Sequence, residues 1–280
     1  MESLINMDGF ADVANNLIDK VSAAVGWVAN HQTPSKIAVN TYIQEIQNSS
    51  YDPLTKAALI SQAKKSIKEY CNQQNVLEVA MRSLMPMAKP EELDEDWLTQ
   101  FMDKARLVST EEFQMLWGNL LAQECNVPGS IPKSLLHIME QMDRNMADAF
   151  MAITAVSVWY IDKGQPFWSP VITGMLLDDY YKSLGITYDN LVDLQSVGLI
   201  KIDFGIAQSS YVQTIDESFH EIHYHDQVYS LPEKQSEFPV GNVIFTGAGN
   251  ALCRAIVPEK VEGFLEKKCV PFWEAYINKS

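Results

Sequence analysis

The sequence predicts a mainly α protein: an N-terminal helical bundle, then a smaller α+β region, then a helical tail. Three observations predict it. Apolar residues recur at spacings of three and four through most of residues 1–161, which is the period of one buried helix face. Capping residues stand just before these runs, and Pro or Gly follows them. After Asp162-Lys-Gly164 the texture turns to Pro- and Gly-punctuated sequence with short alternating stretches, the pattern of strands. The expected division is a helical domain over 1–162, an α+β domain over 163–258 and a helical tail over 259–280.

The helices follow in order. Phe10, Val13, Leu17, Val21, Ala24 and Val28 make one stripe, and Thr33-Pro34 stops it. Residues 35–48 form a second helix, Ser49 to Pro53 a turn, and 54–82 a long helix carrying Lys64, Lys65 and Lys68 on its surface. Met85 to Pro90 is an irregular linker. Asp94 caps a helix whose inner positions are Trp97, Leu98, Phe101, Met102 and Ala105. Ser109-Thr-Glu-Glu112 reads as a capping box, serine to an orphan N–H and glutamate back to the cap. The helix after it presents Phe113, Leu116, Trp117, Leu120 and Leu121, and Pro128-Gly129 ends it. Ser130 caps a third helix with Pro132 in its first turn, and Asp143 caps a fourth that is expected to run to Ile161.

Beyond residue 162, Gln165 to Pro170 reads as a turn-rich boundary and Val171 to Ser183 as a helix. Thr187 caps the next helix, with Leu191, Val192 and Leu194 inward and Val197-Gly198 at its end. Leu199 to Phe204 alternates like a strand; two more strand-like runs lie near 220–230 and 242–246, and Thr246 caps a helix reaching Ile256. Helix, helix, strand and hairpin in this order are winged-helix-like. The helix in the recognition position has Asp189 and Asp193 and no Arg or Lys before Lys201, which suits protein contact better than phosphate or guanine.

Charge narrows the function classes. The formal net charge is −15, with 12 basic and 20 acidic residues in 1–150 and 9 and 16 in 151–280. No half is basic, and that disfavours nucleic acid, whose binding depends on Lys and Arg at phosphates. Four cysteines (Cys71, Cys125, Cys253 and Cys269) contain no CxxC pair. With no signal peptide evident, the expectation is a cytoplasmic protein with reduced thiols. No run of eighteen apolar residues exists, so no spanning helix is expected. Trp27 at the end of the first helix offers contact with a membrane surface; packing on another helix is the simpler account, since Lys20 is the only basic residue there.

The string Trp117-x2-Leu120-Leu121-Ala122-x-Glu124-x3-Pro128-Gly129-Ser130, with Leu93-Asp-Glu-Asp-Trp97-Leu98 upstream and Gln73-Gln-Asn-Val-Leu-Glu78 before that, resembles a bacterial family known as domain of unknown function 2806. More loosely it is similar to the abortive-infection alpha family of phage-resistance proteins. After the Pro-Gly turn the family often has Ser, Arg and Thr where this chain has Ile131-Pro-Lys133-Ser134, so no arginine role carries over. From the residues alone, Trp97 and Trp117 read as core, and Glu124 as an acceptor for backbone donors around the Pro128-Gly129-Ser130 turn.

Other chemistry is sparse. His220-Glu-x-His223-x-His225-Asp226 is the one concentrated metal-capable set, and Glu221, His223 and His225 would share one face of a strand. Histidines so spaced also occur on exposed hairpins that bind nothing. His137 follows the Pro-Gly turn and reads as a structural hydrogen-bonding group. The acidic run Glu91 to Asp96 complements a helix N-terminus. No GxSxG elbow, P-loop or HExxH is present, and Gly247-x-Gly249 lacks the third glycine of a dinucleotide fingerprint. No cofactor is implied. The expectation is a non-enzymatic interaction or effector protein, with a protein partner or self-association, and phage defence implied by the looser resemblance. A winged-helix nucleic-acid regulator is the alternative, and a metal-dependent hydrolase built on the histidine strand comes third.

Overall fold

The computed structural model describes residues 2–26, 36–162, 164–173, 179–202 and 211–277. Trp27 and the Thr33-Pro34 stop lie outside the described residues, as do Asp203 and Phe204. Among the described residues the protein is mainly helical, with a small antiparallel sheet in its C-terminal half. The chain forms two compact units, Met1–Leu136 and His137–Ser280.

The first unit contains α1 (Glu2–Val25), α2 (Lys36–Asn48), α3 (Pro53–Arg82), a 3₁₀ turn at Pro90–Glu92, α4 (Glu95–Ala105) and α5 (Glu111–Asn126). Leu17 and Val21 of α1 are fully buried, as are Phe101 and Met102 of α4 and Leu120 and Leu121 of α5. Asp52 caps α3 through the N–H groups of Leu54 and Thr55, with Pro53 in the first position, where its missing donor costs nothing. Asp94 caps α4 through the Trp97 N–H at 2.7 Å. The capping box at Ser109 does not form: α5 starts from Thr110 with no side-chain cap bond.

The boundary between the units falls within α6 (Lys133–Gln141), and the second unit continues with α7 (Arg144–Ala155), which Asp143 caps through the Met146 N–H. Helix α7 stops six residues short of the expected Ile161. Apart from Ser157, Val156 to Ile161 is β-branched and aromatic, and residues 157–162 are strand β1. Thr154 and Ser157 hydroxyls turn back onto the carbonyls four residues earlier, at the point where the helix ends. Residues 165–170, expected as a boundary, are strand β2, paired to β1 across a tight turn with Gly164 at φ +74°. Its two prolines fit because β2 is an edge strand. The expected break after Asp162 therefore falls in a hairpin turn within the second unit.

Val171 and Ile172 are extended rather than helical: the Val171 N–H donates to Val156 O, and Ile172 bridges Gly241. Residues 174–178 lie outside the described residues, and α8 is Asp179–Ser183. Helix α9 (Tyr188–Ser196) is capped by Thr187 and leads into β3 (Ile200–Ile202). The later strands are longer than the sequence suggested: β4 (Tyr211–Tyr224) and β5 (Gln227–Gly241) form one long hairpin. Then β6 (Val243–Phe245) pairs back with β3, and Thr246 caps α10 (Gly247–Cys253). The main sheet has the order β2-β1-β4-β5, and β3-β6 is a separate ribbon. A π-helical turn at Leu265–Cys269 and α11 (Val270–Ile277) pack on the sheet, with Phe264 against Tyr224 and Trp273 against Tyr229. Among the described residues no helix is long and apolar enough to cross a membrane.

Candidate functional site

In the first unit the sequence signature is a packed and hydrogen-bonded scaffold. Trp97 stacks on Phe101 with ring centres 5.0 Å apart, and Phe101 meets Trp117 at 5.0 Å, so the two tryptophans are joined through one phenylalanine. Behind them Gly118 lets α5 approach α3: a Cβ there would lie 2.4 Å from the Val79 Cβ and 2.9 Å from the Val76 carbonyl oxygen. Glu124 continues the same buried face and is 3% exposed.

The Glu124 carboxylate is held by the turn that follows α5. One oxygen accepts from the Gly129 N–H at 2.6 Å and the other from the Ile131 N–H at 2.7 Å, with the Ser130 hydroxyl at 3.5 Å. The Ser130 N–H donates to Val127 O, Pro128 occupies the first central position, and Gly129 has φ +83°. That is a type II turn, in which the third residue needs a positive φ and Gly supplies it without a Cβ clash. Ser130 does not cap α6; its hydroxyl faces Gln123 O and Glu124 instead. Burial pushes the Glu124 carboxyl above its ordinary range, and the N–H donors offset part of that rise. With each oxygen engaged by a backbone N–H, this carboxylate anchors the turn.

An amide cluster fixes the neighbouring helix end. Asn72 donates to the carbonyl of Arg106, just past α4, and Gln73 to that of Met102 in its last turn, which also accepts from the Arg106 N–H. Gln114 donates to Val108 O and accepts from Asn75. The acidic run is likewise engaged: Glu92 pairs with Lys89, and Asp94 caps α4 and pairs with Lys133.

The histidine set of the second unit does not converge as the strand pattern suggested. Glu221 and His223 share one face of β4, with 3.9 Å between a Glu221 oxygen and His223 Nε2. His225 leaves the strand. Tyr224 pairs with Gln227, so His225 and Asp226 form a two-residue turn with His225 at φ +50°. Burial, then the charge of Lys260, hold the His225 pKa below its ordinary value, while Lys260 pairs with Asp226 at 2.7 Å. The His220 side chain lies outside the described residues. Among the described residues no group of three or more His, Cys, Asp or Glu is placed to hold a metal ion.

His223 has another neighbour. Its ring lies flat on Trp159 of β1, 4.0 Å between centres and 11° between planes. Trp159 sits opposite Trp168 of β2, with 6.4 Å between rings. On the other side His223 sits opposite Val228 of β5, which is 53% exposed. Trp168, Trp159, His223 and Val228 are thus mutual cross-strand neighbours, one from each strand in sheet order. They lie on the sheet face opposite Val158, Tyr160, Ile222 and Tyr224, all of which are buried. Asn250 locks this end of the sheet: its amide accepts from the Trp168 N–H at 2.7 Å and donates to the Trp168 carbonyl at 3.1 Å. The sequence offered Trp159 as a helix residue and Trp168 as a turn residue. Only strand register brings them into one row.

No curated protein and no solved structure matches the chain. Residues 59–268 match the family described as protein of unknown function (DUF2806), and the chain belongs to that family.

Proposed function

We propose that the protein is a non-enzymatic interaction protein, an effector that works by contact, and that the outer face of the β2-β1-β4-β5 sheet is its contact surface. The observation that carries this reading is the solvent-facing row Trp168–Trp159–His223–Val228. Large rings left partly open on a regular sheet supply contact area at low entropic cost, which is why Trp is enriched in binding hot spots. The groups best suited to chemistry support the same reading. Glu124 is engaged by backbone, and burial pushes the Cys125, Cys253 and Cys269 thiols up, away from the reactive thiolate.

A photocrosslinking amino acid at position 228, in the full chain inside cells, tests it. Protein adducts are expected from position 228 and not from the exposed position 257, and Trp159→Leu is expected to remove them. A silent position 228 overturns the reading. The setting proposed for the effector is phage defence of the abortive-infection type, on the looser likeness of the Trp117–Ser130 string. Unchanged plaquing efficiency on cells expressing the chain would remove that setting.

A nucleic-acid regulator is the second reading, favoured by one observation: α9 leads into β3, and β3 pairs with β6 as in the ribbon of a winged helix. Against it, the exposed side of α9 presents Tyr188, Asp189, Val192 and Asp193. Two carboxylates there repel phosphate.

A further inference from the structure

The occupant of the aromatic row follows from its rings and its charge. We infer that the row Trp168–Trp159–His223–Val228 receives a short cationic peptide segment, rich in Lys and Arg, supplied by a partner protein. This rests on the reading of the sheet face as a contact surface and specifies what that face takes.

Three observations carry it. The row is continuous. Its members are directly opposite one another on four adjacent strands, so strand spacing gives a track about 15 Å long, roughly three steps of 4.8 Å. That length fits a few residues of extended chain. The track is ring-lined and partly open: Trp159 and Trp168 are half-buried, and Ile161, on the same face one row along, is 47% exposed. Lys and Arg stems lie along such apolar ring surface while their charged ends reach a neighbouring carboxylate, here that of Glu221.

Charge then selects among occupants. Counted over both faces the four strands carry six carboxylates in sequence against the single lysine Lys234, and among the described side chains of the outer face Glu221 is the one charged group. Glu221 stands beside His223 on the outer face with its side chain 57% exposed. Lys260, beside the hairpin turn, is already paired with Asp226. A polyanion meets repulsion here. A second copy of the chain, itself carrying a net charge of −15, meets it too. A basic segment meets complementary charge and apolar ring surface together.

The test titrates the full-length protein into a fluorescein-labelled nonapeptide of alternating Arg and Gly, with an alternating Glu-Gly peptide and oligothymidylate as comparison probes, read by anisotropy. Saturable binding of the Arg peptide is expected, at least tenfold tighter than either comparison probe and weakened by added salt. Trp159→Leu and Val228→Lys are each expected to weaken it about tenfold, and Val257→Lys, off the sheet, by less than twofold. Val228→Lys sits at an exposed position, so a loss there reports on the surface even where Trp159→Leu loosens the sheet. Equal affinity in wild type and both row variants overturns the inference, as does tighter binding of oligothymidylate. If the Arg peptide fails to bind while position 228 still crosslinks in cells, the contact surface stands and its cationic occupant falls. If both fail, the reading of the face falls with it.

Discussion

The segment around Glu124 and the outer face of the sheet treat their most noticeable side chains in opposite ways. Around Glu124 the key polar groups are turned onto the backbone. Its carboxylate holds two backbone N–H groups, Asn72 and Gln73 hold carbonyls at the end of α4, and the tryptophans fill space between helices. On the sheet the reverse holds. Backbone pairing and Asn250 satisfy the main chain, so the side chains of the outer row are left with no internal duty that requires them to be aromatic. A string of residues that marks a family is therefore no guide to which side chains the fold leaves at the surface. The first region is a lock, and the second is a surface held flat by locks elsewhere.

Substitutions test that contrast, beginning with the largest expected effect. Glu124→Ala strips both acceptors from the turn and leaves two buried N–H groups without a partner, at about 1–3 kcal/mol each. We expect it to lower stability by about 2–4 kcal/mol in urea unfolding. A variant that melts like wild type but has lost its cellular effect would move Glu124 from lock to surface. A smaller effect comes from protonation of the same residue. Its carboxyl is raised, so the fold favours the neutral acid. That contribution is fully present below the ordinary value of 4.5 and is lost as pH rises through the raised value. The melting temperature of wild type should therefore fall relative to that of Glu124→Gln across this window, and parallel curves would show that burial is not the ruling influence on the group. The smallest effect belongs to the sheet. Val228→Lys should change stability by less than about 0.5 kcal/mol, because the side chain is exposed and its strand pairing is through the backbone. A larger loss would mean that the row is packed against something and is not an open surface.

What the sequence disclosed was local. Asp94, Asp143, Thr187 and Thr246 each cap a helix by a bond to an N–H three residues on, so the cap and its helix lie in one short window. Glu124 and its turn were legible for the same reason, being contained in eight residues. What the sequence hid was long-range. The run from Val156 to Ile161 continues the apolar spacing of α7, and only pairing with β2 and β4 makes it a strand. Pro166 and Pro170 disguise β2, since nothing nearby in sequence says that it lies at an edge. Gly118 and Asn250 act on residues far away in the chain, Val79 and Trp168. The aromatic row has no sequence period at all, because it is written across four strands.

The ribbon of β3 and β6 has a consequence for how the chain reaches this state. Each strand is three residues long, and the whole β4–β5 hairpin lies between them. Two such short strands cannot find each other early, because joining the ends of a long, unformed loop is costly for so few bonds. The hairpin, zipped from the turn at His225-Asp226, brings Tyr211 beside Gly241 and shortens that loop before the ribbon closes. Loop entropy then favours one order of assembly, tip first and ribbon last. Damage at the tip would slow the folding of a region on the far side of the hairpin while leaving its unfolding rate almost untouched.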